Sequence, residues 1–503
     1  MRRDPSLNLT VADFGLGAGI FFAGYGAMQV PALQVIQHVG ARPVLGILLI
    51  AWGTVASAIG AITSRWQLYI LRFVLGLFEA GYYPGALYYL STWLPDEVAG
   101  MAAALLTMTG AIFGSSVGNL TAGLILSSTA FDGWLRLPAW RWLFFLQGPP
   151  AVVVGLIFLL LQPTTLGAAQ WLAPSDRQAL LDRLQRGAQR DAQQPPAGLA
   201  AADATASAAD SVASAADSAA ESTLVPLADG DANEAAAGRA AEARPPPPVP
   251  VALSTAVWRL VRLPTTWLFA AYHFANATLA YTGLFFIPLL YSELLPSWLP
   301  WQIAALVTGP QLVSAVYSGW VASFTDRSPE PTARRQRRLL FALLSPIVGG
   351  AFSILGAVVL LSETHVPPLH VSHFNLSAAA LIIMAIGATL TAGSIGPFWS
   401  LHHDVQPPAL GGASIAFVNA LGNLGGFVGP YSLAALKASL GPPCSLSPNA
   451  TAAATATTIA ASSKRNGCVA SWAGGLMAVS SMTMAILLSV AAVVLWKKHR
   501  LLR

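Results

Sequence analysis

The sequence predicts an all-α membrane protein built from two bundles of helices. Of its 503 residues, 55% are hydrophobic and only 10% are charged, whereas soluble domains carry about 25% charged residues. So few charges cannot cover a soluble chain of this length, and part of its surface must therefore face lipid. Long apolar runs recur along the chain, and a helix of roughly 20 such residues crosses a bilayer core of about 30 Å.

Eleven apolar runs are long enough to be predicted membrane spans, five before residue 163 and six after residue 264. We expect helices, because backbone polar groups in lipid must form hydrogen bonds within their own segment. The predicted spans are 14–36, 44–63, 66–90, 100–127, 142–162, 265–292, 302–324, 339–361, 376–400, 411–436 and 470–495.

The chain between the two groups of spans has a different composition. Residues 196–250 are rich in Ala, Asp, Ser and Pro and contain few large apolar groups, so we expect them to be a disordered linker. Just before them, residues 176–190 have the pattern of a short amphipathic helix at the membrane surface. The predicted organisation is an N-terminal helical bundle over 1–163, a cytoplasmic linker over 164–264 and a six-helix C-terminal bundle over 265–503.

Basic residues near the ends of the spans predict which side is cytoplasmic. They crowd the loop at Arg334 and Arg335, the C-terminal tail and the central linker, which the order of spans places on one side. The opposite loops, 362–375 and 437–469, contain two N-glycosylation sequons and both cysteines of the chain, at Asn375, Asn449, Cys444 and Cys468. We expect glycosylation and a disulfide there; unused sequons and free thiols are the alternative.

Two ionisable residues lie inside an otherwise apolar span. Arg72 and Glu79 are about two helical turns apart, so their side chains project from one face of the helix. Ionisable residues inside a membrane are costly and mark functional sites. An arginine there can bind a carboxylate through two hydrogen bonds, and a glutamate can carry a proton. The alternative is a buried ion pair that stabilises the fold.

Other polar or aromatic side chains in the spans are candidates for lining a substrate cavity. Tyrosine, glutamine and asparagine can hydrogen-bond a ligand, but they can equally bond a neighbouring helix. A single intramembrane histidine can be a ligand or a packing residue. The candidates are Tyr25, Gln29, His273, Trp399, Asn419 and Asn423.

The sequence contains no motif for metal binding, phosphate binding or nucleic-acid binding. His402, His403 and Asp404 are consecutive, and adjacent positions do not share a helix face, so we predict no metal site. The glycine run at 422–430 lacks the following Lys-Ser or Lys-Thr of a phosphate-binding loop. The sequence has no compact basic region, so we predict no nucleic-acid partner. We therefore predict neither an enzyme nor a cofactor.

Several motifs together form a family pattern. They are Arg72–Gly85, which contains Arg-Phe-x-x-Gly-x-x-Glu-Ala-Gly, then Trp140–Phe144, Gly396–Trp399, Asn419–Pro430, and the loop from Gly319 through Asp326 and Arg327 to Arg335. With these motifs the chain resembles the major facilitator superfamily, and within it the anion:cation symporters, which include allantoate and nicotinate permeases and sialin-like carriers.

The resemblance implies two bundles of six helices around a cavity that opens alternately to either side. It also implies that Arg72 binds substrate and that Glu79 couples a proton. The cavity-lining positions that it implies are Tyr25, His273, Trp399, Asn419 and Asn423. Family members have twelve spans, and the first span here resembles their second, so we expect the first transmembrane helix to be missing.

These observations predict a secondary active transporter of a small organic anion, coupled to a proton and working by alternating access. We expect a monomer, and the plasma membrane rather than an organelle membrane. Two alternatives remain open at this stage. One is a facilitator of a neutral solute, and the other is a non-transporting membrane sensor or a defunct paralogue.

Overall fold

In the computed structural model, the described residues form long helices joined by short turns. The structure describes residues 4, 7, 9–94, 102, 105–106, 109–163, 166–193, 253–295, 297–328, 330–362, 373–406, 410–440 and 456–496. The predicted linker over 196–250, Cys444 and Asn449 lie outside these ranges, as do the side chains of Asn375 and Cys468. Glycosylation, the disulfide and the disordered linker therefore remain predictions.

The helices before residue 194 form the first block. They are α1 (Val11–Val39), α2 (Ala41–Ile59), α3 (Arg65–Glu79), α4 (Tyr82–Trp93), a π-helix (Gly110–Val117), α5 (Gly118–Ser127), α6 (Ala139–Gln147), α7 (Pro149–Leu161) and α8 (Pro174–Gln193). The short helix predicted over 176–190 is confirmed as α8, and its place at the membrane surface remains a prediction.

The helices after residue 252 form the second block. They are α9 (Leu253–Arg262), α10 (Pro264–Leu294), α11 (Pro300–Asp326), α12 (Pro331–Ser362), α13 (His373–Ala392), α14 (Ile395–Val405), α15 (Gly411–Asn423), α16 (Gly425–Leu440) and α17 (Ala456–Trp496).

Eight helical segments in the described part of the chain are long and apolar enough to cross a membrane. They match eight of the predicted spans, so the all-α membrane fold is confirmed. The predicted spans 66–90, 100–127 and 302–324 are not among them. The first of these is divided into α3 and α4, and 302–324 lies within the single helix α11. The count of eleven spans therefore remains a prediction.

The first helices begin at capping boxes, which satisfy the free N–H groups of a helix start. Thr10 accepts a hydrogen bond from the backbone N–H of Asp13, whose carboxylate accepts one from the backbone of Thr10. Ser64 and Gln67 make the same exchange at the start of α3. The Tyr69 hydroxyl also donates to Asp13 Oδ1 at 2.6 Å, which ties the starts of α1 and α3 together.

Glycines bring α1 and α3 into close contact. A Cβ at Gly76 would overlap the backbone carbonyl of Phe21, and a Cβ at Gly24 would overlap that of Phe73. Small residues allow such an approach between membrane helices, where van der Waals packing drives association. This packing fixes the face of α3 that carries Arg72 and Glu79 relative to α1.

The two blocks touch along two seams. In one, α1 packs against α15 and α16, and Gly15 and Gly26 lie against Ala434 and Ala420. In the other, α5 and the π-helix pack against α11, and Asn119 Nδ2 donates to Gln311 Oε1 at 3.1 Å. The division into two bundles at the predicted boundaries remains a prediction.

A buried ion pair joins three helices of the second block. The Lys437 ammonium on α16 lies 2.8 Å from Glu293 Oε2 on α10. The indole Nε1 of Trp472 on α17 donates to the same oxygen at 2.6 Å, and the ammonium lies 3.9 Å from the centre of that indole ring. The sequence analysis did not identify this pair, whose members lie at the ends of their predicted spans.

Candidate functional site

Breaks in the helices surround the candidate site. One helix stops at Glu79 before α4 begins at Tyr82, and another stops at Asn423 before α16 begins at Gly425. A third break, at Gly393 and Ser394, separates α13 from α14. In transporters, discontinuous membrane helices occur where substrate and coupling ions bind, because irregular backbone is tolerated only inside the protein or along a cavity.

Arg72 and Glu79 both lie on the interior face of α3 and are half-buried. They are near enough for their charges to interact. Within the described part of the chain, neither side chain has a hydrogen bond or an ion pair. A closed structural pair would have both side chains in contact, so this arrangement leaves the guanidinium and the carboxylate open to a ligand.

Two tyrosines, one from each block, lie close to the Glu79 carboxylate. Tyr25 on α1 and Tyr281 on α10 both interact electrostatically with Glu79 and with each other. The Tyr281 ring packs against Phe22, with 4.4 Å between the ring centres. Tyr25 was predicted as a site residue, whereas Tyr281 was not, because one tyrosine in an apolar span gives no distinguishing signal.

Asn419 lies at the site beside residues of both blocks. Its side chain lies near the Tyr25 hydroxyl on α1. Its Oδ1 accepts a hydrogen bond from His273 Nε2 on α10, at 2.9 Å. The predicted residues Tyr25, Asn419 and His273 therefore lie close together where the two blocks meet.

Aromatic rings surround His273 on its other sides. The ring centres of His273 and Phe398 are 5.5 Å apart in a stacked arrangement. Trp399 meets His273 edge to face, with 5.4 Å between the ring centres. The half-buried Trp399 is thus next to the contact between His273 and Asn419, and its role as a lining residue remains a prediction.

Gln29 and Asn423 are the other two predicted lining residues. Gln29 is fully buried on the face of α1 that meets α15, and neither its Nε2 nor its Oε1 has a hydrogen-bond partner. Asn423 is buried at the last residue of α15, one turn after Asn419. The structure places Asn423 at a helix break, a position that the spacing of the two asparagines could not indicate.

The His402–Asp404 segment is used for packing between helices. His402 Nε2 lies 3.0 Å from the Ser414 hydroxyl on α15. Asp404 Oδ2 lies 2.5 Å from Arg338 Nη1 on α12. His402 and Asp404 therefore point to different partners, as expected because positions two residues apart on a helix do not face each other. No cluster of three potential metal ligands occurs among the residues for which a structure is given.

A second buried polar contact was missed by the sequence analysis. Asn276 Nδ2 on α10 donates to the Ser394 hydroxyl at 3.3 Å, and Ser394 lies in the break between α13 and α14. The run of small residues at 391–396 was the available signal, because Gly and Ser together often mark a bend in a membrane helix.

Taken together, the site combines a cation, a carboxyl group and aromatic and amide side chains from both blocks. A guanidinium can bind a carboxylate or a comparable anion through two parallel hydrogen bonds. The Glu79 carboxyl group can gain or lose a proton beside it. A ligand that contacts both Arg72 and Asn419 would bridge the two blocks.

Comparison with known proteins agrees with this architecture. Residues 5–430 match the Major Facilitator Superfamily. The chain belongs to this superfamily, and it is a multi-pass membrane protein. The superfamily and the relatives named below indicate a transporter rather than an enzyme.

Two curated relatives are named as transporters. The chain is 38% identical over 174 residues to a protein of Pseudomonas putida called putative metabolite transport protein NicT, an alignment that covers 35% of this chain and 39% of that protein. It is 27% identical over 441 residues to a putative tartrate transporter of Agrobacterium vitis, covering 88% of this chain and 81% of that protein.

A solved structure has the same fold. It is the inward-facing, unoccupied crystal structure of a bacterial homolog of the human lysosomal transporter Spinster, with a TM-score of 0.61 and 13% sequence identity, covering 97% of this chain and 90% of that one. At this identity, the likeness supports the fold alone.

Proposed function

We propose that the chain is a secondary transporter that carries a small organic carboxylate together with a proton. The observation that carries this proposal is Arg72, a half-buried cation on the interior face of α3 with no ion pair in the described structure. An arginine held inside a membrane protein without a carboxylate partner is costly. A transported anion would supply that partner each time it binds.

Glu79 is the proposed proton carrier. Its charge interacts with Arg72, so the two groups are coupled. Bound substrate would compete for the guanidinium, and protonation of Glu79 would remove the charge that otherwise attracts Arg72. Anion binding and proton binding would therefore favour each other, which is the thermodynamic requirement for symport.

The contacts between the blocks support alternating access. Asn419 is hydrogen-bonded to His273 of the second block and lies near Tyr25 of the first. A substrate bound between Arg72 and Asn419 would replace or strengthen these contacts. The two bundles would then rock around the site, as in other transporters that bind substrate between two repeats.

The relatives are consistent with this substrate class. One is named for tartrate, a carboxylate, and another for metabolite transport. We therefore propose a carboxylate substrate for this chain as well. The proposal also includes membership of the anion:cation symporter group, a monomeric state and a plasma-membrane location. Gln29, Trp399 and Asn423 are proposed to line the cavity.

Uptake of radiolabelled carboxylates into proteoliposomes tests the proposal. The full chain should accumulate substrate when the outside is more acidic than the inside. Glu79→Gln should abolish accumulation against a gradient and keep exchange of labelled for unlabelled substrate. Glu330→Gln, at an exposed carboxyl group of a loop, is the matched control and should behave like the native protein.

Substitution of Arg72 distinguishes the proposed carboxylate transporter from a facilitator of neutral solutes. Arg72→Ala should remove carboxylate uptake, and Arg65→Ala, at the exposed start of the same helix, should not. Full carboxylate uptake by Arg72→Ala would refute the anion-binding role. No uptake of any solute by the correctly folded native protein would favour a non-transporting role.

A further inference from the structure

An apolar cavity lies between α10, α12, α14 and α17, with Phe398 in its wall. It has a volume of about 60 Å³ and is half open to its surroundings, so it forms a groove that an apolar chain can enter. Nearly all of its wall is hydrocarbon or aromatic. The lining residues include Leu268, Phe269, Leu339, Leu343, Leu401 and Val490.

The chemistry of this wall selects an apolar occupant. A cavity without polar partners does not hold ordered water, and burying hydrocarbon there is favourable at about 25 cal/mol per Å². In a membrane-spanning chain, the apolar molecules present in greatest excess are the lipids around it. A lipid acyl chain therefore fits both the cavity and its surroundings.

Two exposed arginines lie near one end of the cavity. Arg259 and Arg262 are on α9, whose Ala256 and Leu260 are buried in a cluster with Leu410. Thr265, a residue of the cavity wall, follows Arg262 by three positions and so lies within about 11 Å of it along the chain. Because α9 is held by its packed side, both arginines remain exposed, on the segment that leads into the cavity wall at Thr265.

Tryptophans flank these arginines. Trp258 and Trp267 are both exposed, and the Arg262 guanidinium lies 4.6 Å from the centre of the Trp258 ring. The Trp267 Nε1 donates to the backbone oxygen of Val261 at 2.9 Å. Tryptophan and arginine on one side of an amphipathic helix are typical of a helix that lies in the membrane interface.

We propose that this cavity and α9 together bind one anionic phospholipid. Its phosphate contacts Arg259 and Arg262, and one acyl chain enters between Leu268 and Leu343. The proposal requires only that the chain spans a membrane, so it is independent of the transported substrate. Because Phe398 both lines the cavity and stacks on His273, an occupied cavity would support the ring that positions this histidine.

Photocrosslinking tests the assignment on the full chain. The protein is reconstituted in phosphatidylcholine vesicles that contain a small fraction of a lipid probe with a photoreactive acyl chain. The probe is phosphatidylglycerol in one sample and phosphatidylcholine in the other. Mass spectrometry then locates the crosslinks. We expect the phosphatidylglycerol probe to label peptides containing Leu268, Leu343 and Val490 several-fold more than the phosphatidylcholine probe does.

Variants separate the head-group contact from the cavity. Arg259→Gln and Arg262→Gln should each lower the phosphatidylglycerol preference by roughly fivefold, the effect of one juxtamembrane cation. Arg183→Gln, at an exposed arginine of α8, should leave it unchanged.

A matched pair of substitutions tests the cavity itself. Leu343→Trp fills the cavity from its wall and should reduce labelling by both probes, whereas Leu344→Trp, at a neighbouring exposed position, should not. Thermal unfolding of each variant establishes that it is folded. Equal labelling by the two probes in the native protein, or undiminished labelling in folded Leu343→Trp, would overturn the proposal.

Discussion

The Nε2 atom of His273 lies 2.9 Å from the Oδ1 atom of Asn419. Since an amide oxygen can only accept, this contact places the hydrogen of the imidazole on Nε2. The same asparagine lies near the Tyr25 hydroxyl of the other block. A single side chain thus lies where both halves of the molecule meet, beside the Arg72 and Glu79 pair.

Loss of this asparagine should weaken substrate binding. Asn419→Ala leaves His273 without its hydrogen-bond partner, and a lost hydrogen bond of this kind costs about 1 kcal/mol, or roughly fivefold. We expect KM for the carboxylate to rise by at least that factor in proteoliposome uptake. Asn119→Ala, which breaks a hydrogen bond between the blocks, should leave KM unchanged. An unaltered KM in Asn419→Ala would remove this residue from the site.

The sequence was sufficient for the membrane fold and for the charged pair, because both depend on residue types that are rare or costly in lipid. Arg72 and Glu79 stand out in an apolar span for that reason. Tyr281 and Ser394 did not stand out, since such side chains occur as often in helix packing as in binding sites. Their role depends on which helices pass the site, and that is set by packing at positions far along the chain.

The glycine contact between α1 and α3 should tolerate no side chain. Gly76→Ala would drive a methyl group into the backbone of Phe21 and displace the helix that carries Arg72. We expect a lower midpoint of thermal unfolding in detergent and reduced uptake. Gly309→Ala on α11, where a Cβ meets no atom within 4 Å, is the control and should be neutral. Equal midpoints for the two variants would contradict this packing.

Arg338 binds two carboxylates that should differ in their contribution to stability. The Asp404 side chain is 20% exposed, whereas that of Asp326 is 47% exposed. Asp404→Asn should therefore cost about 1.5–3 kcal/mol, and Asp326→Asn less than about 1 kcal/mol. Unfolding of both variants in low salt and in about 1 M salt provides the measurement.

High salt should reduce the loss of stability in Asp326→Asn but not that in Asp404→Asn. Exposed charges are screened at high ionic strength, and buried ones are screened much less. A larger loss in Asp326→Asn than in Asp404→Asn would mean that exposure does not determine the strength of this pair.

Removing one residue of the buried ion pair between Lys437 and Glu293 should destabilise the protein strongly, whereas replacing both residues with neutral ones should destabilise it little. Lys437→Met removes the ammonium beside the carboxylate of Glu293, whose side chain is only 9% exposed, and removing one partner of a buried ion pair costs about 3–5 kcal/mol. The neutral double variant Lys437→Met with Glu293→Gln should recover most of this loss, because it buries no charge and keeps an acceptor for the Trp472 indole.

Thermal unfolding of both single variants and of the double variant gives the coupling between the two residues. Lys437→Arg, which keeps the charge, is the control for side-chain size. If the double variant is as unstable as Lys437→Met alone, the loss comes from the missing ammonium over the Trp472 ring and not from the broken ion pair with Glu293. If the broken ion pair is responsible, the double variant should unfold at nearly the same temperature as the native protein, and Lys437→Met should unfold at a much lower temperature than both.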